Sequence, residues 1–153
     1  MSVQAATEGS VSNFIIHARD LRSDHRLFRQ LLDRFELHDR PMVRREIMQL
    51  VVDLFDLHSA IEAQIYPSVH ELSREQDALY DLMEQVECTD ARSQLHFARG
   101  LELKGAFELY IDKEEAQPRR VARLQLERTR SNRTLLQERM QLIAQAEQML
   151  RLH

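Results

Sequence analysis

Apolar residues recur at helical spacing through most of the chain. A stripe with a seven-residue repeat, from Phe14 to Phe35, predicts a first amphipathic helix. Pro41 suits the first turn of a second helix, where its missing N–H costs nothing. This second helix is predicted to end at about Tyr66, because Pro67 disfavours a helical conformation in the residue before it.

A second pair of helices follows. Ser73 begins the predicted third helix, and Gln76, three residues further on, completes a capping box at its N-terminus. Thr89 or Asp90 caps a predicted fourth helix that extends to about Gln117. Each of these helices carries an apolar stripe of its own.

Two glycines, Gly100 and Gly105, interrupt the predicted fourth helix. A glycine in a helix interior costs roughly 1 kcal/mol relative to alanine. We therefore expect a kink or a close helix contact at these positions.

The two helix pairs are related by an internal repeat. A shift of 51 residues superimposes the apolar face of the first helix on that of the third. A shift of 52 residues superimposes the second helix on the fourth and places Leu57 on Leu109. The same shift places Glu62 on Glu114. Two helix pairs that each expose an apolar face predict an all-α protein, an antiparallel up-down four-helix bundle built from two repeated pairs.

Composition excludes several classes of protein. Glycine and proline occur three times each, which is too few for the turns of a β-sandwich or a dinucleotide-binding fold. No apolar run is long enough for a membrane span, and residues 1–10 lack a secretory signal. Cys88 is the only cysteine, so we expect a cytoplasmic protein in a reducing compartment. Nucleophile-elbow, phosphate-loop and catalytic-triad patterns are absent, so we do not expect an enzyme.

Polar residues on the predicted core face carry the candidate chemistry. His58 and Glu62 lie one turn apart and project from one face of the second helix. His25 lies on the neighbouring helix, where Asp24 could orient its ring. Two imidazoles and one carboxylate from adjacent helices suit a first-row metal such as non-haem iron or zinc.

His17 competes with His25 for this site, since each lies about four residues, or ~6 Å of helix rise, from the level of His58. Side chains tilt toward the N-terminus of their helix, which brings His25 and His58 together and carries His17 away. We therefore choose His25 and interpret His17 as a histidine behind the site or in the core. The remaining histidines are expected on the surface: His38, His70, His96 and His153.

The segments 24–32 (DHRLFRQLL) and 57–67 (LHSAIEAQIYP) resemble the first half of a hemerythrin-like (HHE cation-binding) domain. The resemblance covers roughly residues 12–118. It implies a four-helix bundle with a duplicated His…His-x-x-x-Glu pattern whose halves jointly hold a non-haem di-iron centre. It further implies a protein that binds oxygen or another small diatomic ligand, senses an oxidant, or holds iron.

The second half departs from this pattern. The repeat places Gln76 and Tyr110 at the two histidine positions, while Glu114 keeps the glutamate position. Asp77 could replace Gln76, and a phenol binds metal well only when it is deprotonated. Gln76 as a helix cap and Tyr110 as a core aromatic are the alternatives, so two metals, one metal and none stay open. The candidate metal ligands are His25, His58, Glu62, Glu114, Tyr110 and Gln76, with Asp77 and His17 as further candidates.

The C-terminal segment differs in charge from the rest of the chain. Residues 1–117 carry 13 basic and 22 acidic residues, whereas residues 118–153 carry eight arginines and three glutamates. An apolar stripe there, with a seven-residue repeat at Leu136, Ile143 and Leu150, predicts an amphipathic helix. Nucleic-acid binding is not expected, since aromatic residues are not interleaved with the arginines, which could instead complement the acidic bundle.

The predicted organisation is a flexible tail (1–11), a hemerythrin-like bundle (12–118) and an Arg-rich helical extension (119–153). The apolar face of the extension could pack on its own bundle, on a second copy or on a protein partner. We expect a homo-oligomer formed through 119–153. The alternative function is a bundle that has lost its metal and serves as an interaction or regulatory module, self-associating through this helix.

Overall fold

The computed structural model of the chain describes residues 15–65, 73–116, 123–125 and 130–153. Helices account for nearly all of these residues. The elements in chain order are β1 (Ile15–His17), α1 (Ala18–Leu37), α2 (Pro41–Ile65), α3 (Ser73–Glu87), α4 (Gln94–Ala116), β2 (Arg123–Gln125) and α5 (Arg130–Leu152).

Helices α1 to α4 form a bundle around one apolar core, which confirms the predicted all-α fold. Helix α1 packs against α2 and α4, and α3 packs against α4. Large aromatic rings from three helices meet at its centre: Phe28, Phe55 and Phe107 have ring centroids 5.0–6.1 Å apart. In the part of the chain that the structure describes, no helix combines the length and apolarity needed to cross a bilayer.

The first helix is shorter than the hydrophobic pattern predicts. It begins at Ala18, and Ile15–His17 instead form β1, which pairs antiparallel with β2. Phe14, the predicted start of the stripe, lies outside the described residues. Pairing between strands gives the backbone an alternative to helical hydrogen bonds, and a seven-residue repeat of apolar side chains carries no information about that alternative.

The fourth helix begins later than predicted, at Gln94. Ser93 Oγ accepts a hydrogen bond from the backbone N–H of Leu95 at 3.1 Å, so Ser93 is the residue at the cap. Thr89 instead donates its hydroxyl to the Gln85 carbonyl at the end of α3. Asp90 accepts from the backbone within the intervening turn, so the prediction that Thr89 or Asp90 caps this helix is wrong.

The close helix contact expected at the two glycines exists at Gly100 only. A Cβ placed there would overlap the ring of Phe35, whose side chain is fully buried, so glycine lets α1 approach the α4 backbone. Gly105 is exposed, and a Cβ there would meet nothing within 4 Å. The expectation is therefore wrong for Gly105.

Helix α5 packs on α2 and α1 of its own chain. Ala146 is fully buried there, and a groove between α2 and α5 is lined by both Leu57 and Leu142. Leu57 is consequently buried, whereas its repeat partner Leu109 remains 64% exposed. Self-association through residues 119–153 stays a prediction, although two residues of the predicted seven-residue repeat, Ile143 and Leu150, are partly covered by the bundle.

Candidate metal centre

A cluster of buried polar side chains lies at the end of the bundle where α1 and α3 begin and α2 and α4 end. His25 comes from α1, His58 from α2 and Glu114 from α4, and all three are buried. Glu114 Oε1 is 3.3 Å from His25 Nε2 and 3.6 Å from His58 Nε2. The repeat placed this glutamate correctly at the site.

The spacing of the donor atoms suits a metal ion. The atoms offered by His25, His58 and Glu114 all lie within 4.8 Å of one another. Glu62, one turn beyond His58 and largely buried, places Oε1 3.4 Å from His58 Nε2. With metal–ligand bonds of about 2.0–2.2 Å, adjacent donors are expected roughly 3.0–3.4 Å apart. Small side-chain movements would therefore bring these atoms to the spacing of ligands on one metal ion.

Carboxylates hold the other ring nitrogen of each histidine. His58 Nδ1 donates to Asp24 Oδ2 at 2.9 Å, and His25 Nδ1 donates to Glu115 Oε1 at 3.0 Å. The prediction that Asp24 orients its neighbour His25 is wrong, because Asp24 reaches across to α2. With a proton on Nδ1, each ring directs Nε2 toward Glu114, and Nε2 is the atom that a metal ion would bind in place of a proton.

The charges within the cluster are strongly coupled. Burial alone would lower the pKa of His58, but contacts with Asp24, Glu114 and Glu62 raise it well above its usual value. Burial opposes ionisation of Glu114 as well, yet its contacts with His25, His58 and Glu62 lower its pKa. Burial raises the pKa of Glu62. Negative charge thus surrounds the two imidazoles, as a cation site requires.

Aromatic rings close the inner side of the cluster. Phe28 meets the His58 ring edge to face, with centroids 5.7 Å apart, and Phe55 stacks on it at 6.5 Å. These rings belong to the core, so the histidines lie between a dry apolar region and the carboxylates. Such surroundings restrict the access of water and strengthen interactions between charges.

Gln76 and Tyr110 bond to one another at the edge of the cluster, where Tyr110 also contacts Glu114. Gln76 Nε2 donates to the Tyr110 hydroxyl at 2.9 Å. The side chain of Ser73, the other half of the predicted capping box, lies outside the described residues. Burial, together with the nearby charges of Glu114 and Glu62, raises the pKa of Tyr110, which keeps its phenol protonated. Asp77 is exposed and lies outside the cluster.

Of the remaining histidines, those whose side chains the structure describes lie away from the cluster. His17 belongs to β1, and its side chain is outside the described part of the structure, as is the whole of His70. His38 and His153 meet near the turn between α1 and α2, with ring centroids 5.4 Å apart. His153 is exposed as predicted, whereas His38 is mostly covered.

The prediction of a surface position is wrong for His96. It is buried at the opposite end of the bundle, 5.9 Å from the Phe35 ring. Burial and the positive charges of Arg44 and Arg45 lower its pKa. His96 lies four residues before Gly100 and seven before Leu103, on the buried face of α4, and this helical spacing was the available signal.

Two residues that contact the site were missed from the sequence. Glu115 follows Glu114 just as Asp24 precedes His25, so an acidic residue beside each ligand position was the available signal. Arg139 on α5 donates to Asp24 Oδ1 at 2.6 Å. No spacing rule in the sequence connects a residue of the C-terminal helix with Asp24.

No family model, curated protein or solved structure matches the chain.

Proposed function

We propose that this protein is a hemerythrin-like metal-binding protein that holds one non-haem iron ion between His25, His58 and Glu114, with Glu62 as a further ligand. One observation carries the proposal: both histidines turn Nε2 toward the same buried carboxylate while a second carboxylate holds each Nδ1. Two imidazoles and one carboxylate with open positions are a donor set typical of non-haem iron(II).

The second half of the bundle supports one metal ion rather than two. At the positions where the family resemblance implies two further histidines, Gln76 and Tyr110 satisfy each other by a hydrogen bond. A neutral amide is a weak ligand, and a phenol binds iron well only when it is deprotonated. The proposed site is thus a remnant of the two-metal pattern with one complete donor set.

The proposed activity is binding or sensing. Iron held by these ligands would supply open coordination positions for oxygen, another small diatomic ligand or an oxidant. The chain's own part is to present the Nε2 atoms of two imidazoles, balance the cation with carboxylates and limit water through Phe28 and Phe55. We propose a reducing, cytoplasmic setting for the protein, which is supported by the exposed free thiol of Cys88.

Replacement of one buried histidine at each end of the bundle tests the proposal. We expect His58→Ala to lower Fe(II) affinity at least tenfold, because it removes a ligand that Asp24 already orients. His96→Ala is the matched control, since His96 is also buried but lies about 18 residues, or ~27 Å of helix rise, along α4 from Glu114. Anaerobic titration against a chromophoric chelator measures both affinities, and circular dichroism verifies folding.

Equal losses of affinity in the two folded variants would contradict the proposed site. If the folded wild-type protein takes up no Fe(II), the alternative function, a metal-free interaction module, replaces the proposal.

A further inference from the structure

A largely buried ion pair connects the proposed metal site with the C-terminal helix. Arg139 Nη2 lies 2.6 Å from Asp24 Oδ1, and the two side chains are only 14% and 6% exposed. The other carboxylate oxygen of Asp24 accepts the hydrogen bond from His58 Nδ1. A continuous chain of contacts therefore leads from α5 through Arg139 and Asp24 to His58.

The position of Arg139 depends on how α5 packs. Ala146, two turns further along the same face, is fully buried against the bundle. At the end of the helix the His153 ring meets His38 of the α1–α2 turn. Arg139 and His153 are separated by 14 residues, as are their partners Asp24 and His38. Helix α5 thus lies parallel to α1 in a register fixed at both ends.

We propose that Arg139 is a positioning residue that couples the packing of α5 to occupancy of the metal site. This inference rests on the proposed function, because it needs a metal ion at His58. When α5 is packed, the guanidinium holds one oxygen of Asp24 and leaves the other directed at His58 Nδ1. Coupling between two sites is reciprocal, so metal binding also stabilises the packed state of α5.

Removal of Arg139 has two opposing effects on a bound cation. Loss of a positive charge would by itself favour metal binding, since repulsion is relieved. Loss of the hydrogen bond frees a buried carboxylate to rotate, so His58 loses its fixed orientation. Changes in residues that orient a metal-binding histidine typically weaken metal affinity 10–100-fold. We expect the loss of positioning to outweigh the relief of repulsion. The guanidinium bonds directly to Asp24, whereas its charge reaches the metal ion only across Asp24 and His58.

Affinity measurements on four full-length proteins test the first half of the proposal. Anaerobic Fe(II) titration against a chelator is expected to show at least about tenfold weaker binding for Arg139→Gln than for the wild type. Arg139→Lys keeps the charge with fewer donors and should fall between them. Arg151→Gln makes the same charge change at an exposed position of α5 and should leave the affinity unchanged.

Hydrogen exchange tests the reciprocal half. Fe(II) is expected to slow amide exchange in α5 of the wild-type protein and of Arg151→Gln, but not of Arg139→Gln. The coupling would be overturned if folded Arg139→Gln bound Fe(II) as tightly as the wild type or more tightly. It would also be overturned if Fe(II) did not change amide exchange in α5. Neither result would contradict the metal site itself. Wild-type protein that binds no Fe(II) would overturn both the coupling and the proposed function.

Discussion

Buried histidines in this protein differ in what surrounds them. His58 faces Asp24, Glu62 and Glu114, whose contacts raise its pKa. His96, at the other end of the bundle, has a pKa lowered by burial and by Arg44 and Arg45. Burial alone does not identify a metal ligand, since it is the carboxylates that make one end of the bundle suitable for a cation.

The sequence predicted which helix face carries His25, His58, Glu62 and Glu114, whereas the partners of Asp24 could not be predicted. Helical spacing places His58 and Glu62 on one face, and the repeat adds Glu114. Consecutive residues, however, point about 100° apart on a helix, so Asp24 cannot face the ring of His25. Which neighbouring helix receives its carboxylate depends on helix rotation, which only the packed structure fixes.

The two glycines of α4 predict opposite effects of an alanine substitution on stability. Gly105→Ala is expected to raise the free energy of unfolding by about 0.5–1 kcal/mol, because the site is open and alanine favours the helix. Gly100→Ala is expected to lower it by about 1–3 kcal/mol, since the new methyl group meets the buried Phe35 ring. Urea unfolding of both variants measures the difference, and stabilisation by Gly100→Ala would refute the close contact of α1 with α4.

At the scale of elements, the sequence predicted which segments form helices, but it did not predict where several of these helices begin. The start of α2 agrees with the prediction because Pro41 constrains the chain locally, and its predicted end at Tyr66 lies just beyond the described residues. The start of α1 was misplaced because strand pairing with β2, distant in sequence, decides it. An amphipathic stripe likewise predicts that α5 buries one face without specifying which surface covers it.

Removal of residues 119–153 tests the role of α5. We expect a bundle of lower stability, because truncation exposes Leu57 and the α2 surface that α5 covers. At roughly 25 cal/mol per Å² of apolar area exposed, the free energy of unfolding is expected to fall by several kcal/mol. Thermal unfolding of the two proteins measures it, and light scattering reports their oligomeric states. An unchanged melting temperature, with a full-length dimer that becomes a monomer on truncation, would show that the face pairs two chains instead.

At the scale of the whole molecule, the uneven distribution of charge gains a structural meaning. The bundle segment 1–117 is acidic and the segment 118–153 is basic, and Arg139 joins the two through Asp24. Four carboxylates that contact the histidines come from three helices of the bundle: Asp24, Glu62, Glu114 and Glu115. The fold thus concentrates negative charge at one buried point, as binding of a cation would require.

The stoichiometry of Fe(II) uptake tests the central claim most directly. Full-length protein purified without a histidine tag is loaded anaerobically, freed of unbound metal and analysed for iron per chain. We predict about one ion per chain, because His25, His58 and Glu114 form one complete donor set while Gln76 and Tyr110 bond to each other. About two ions per chain, or fewer than ~0.2, would contradict a single buried iron site.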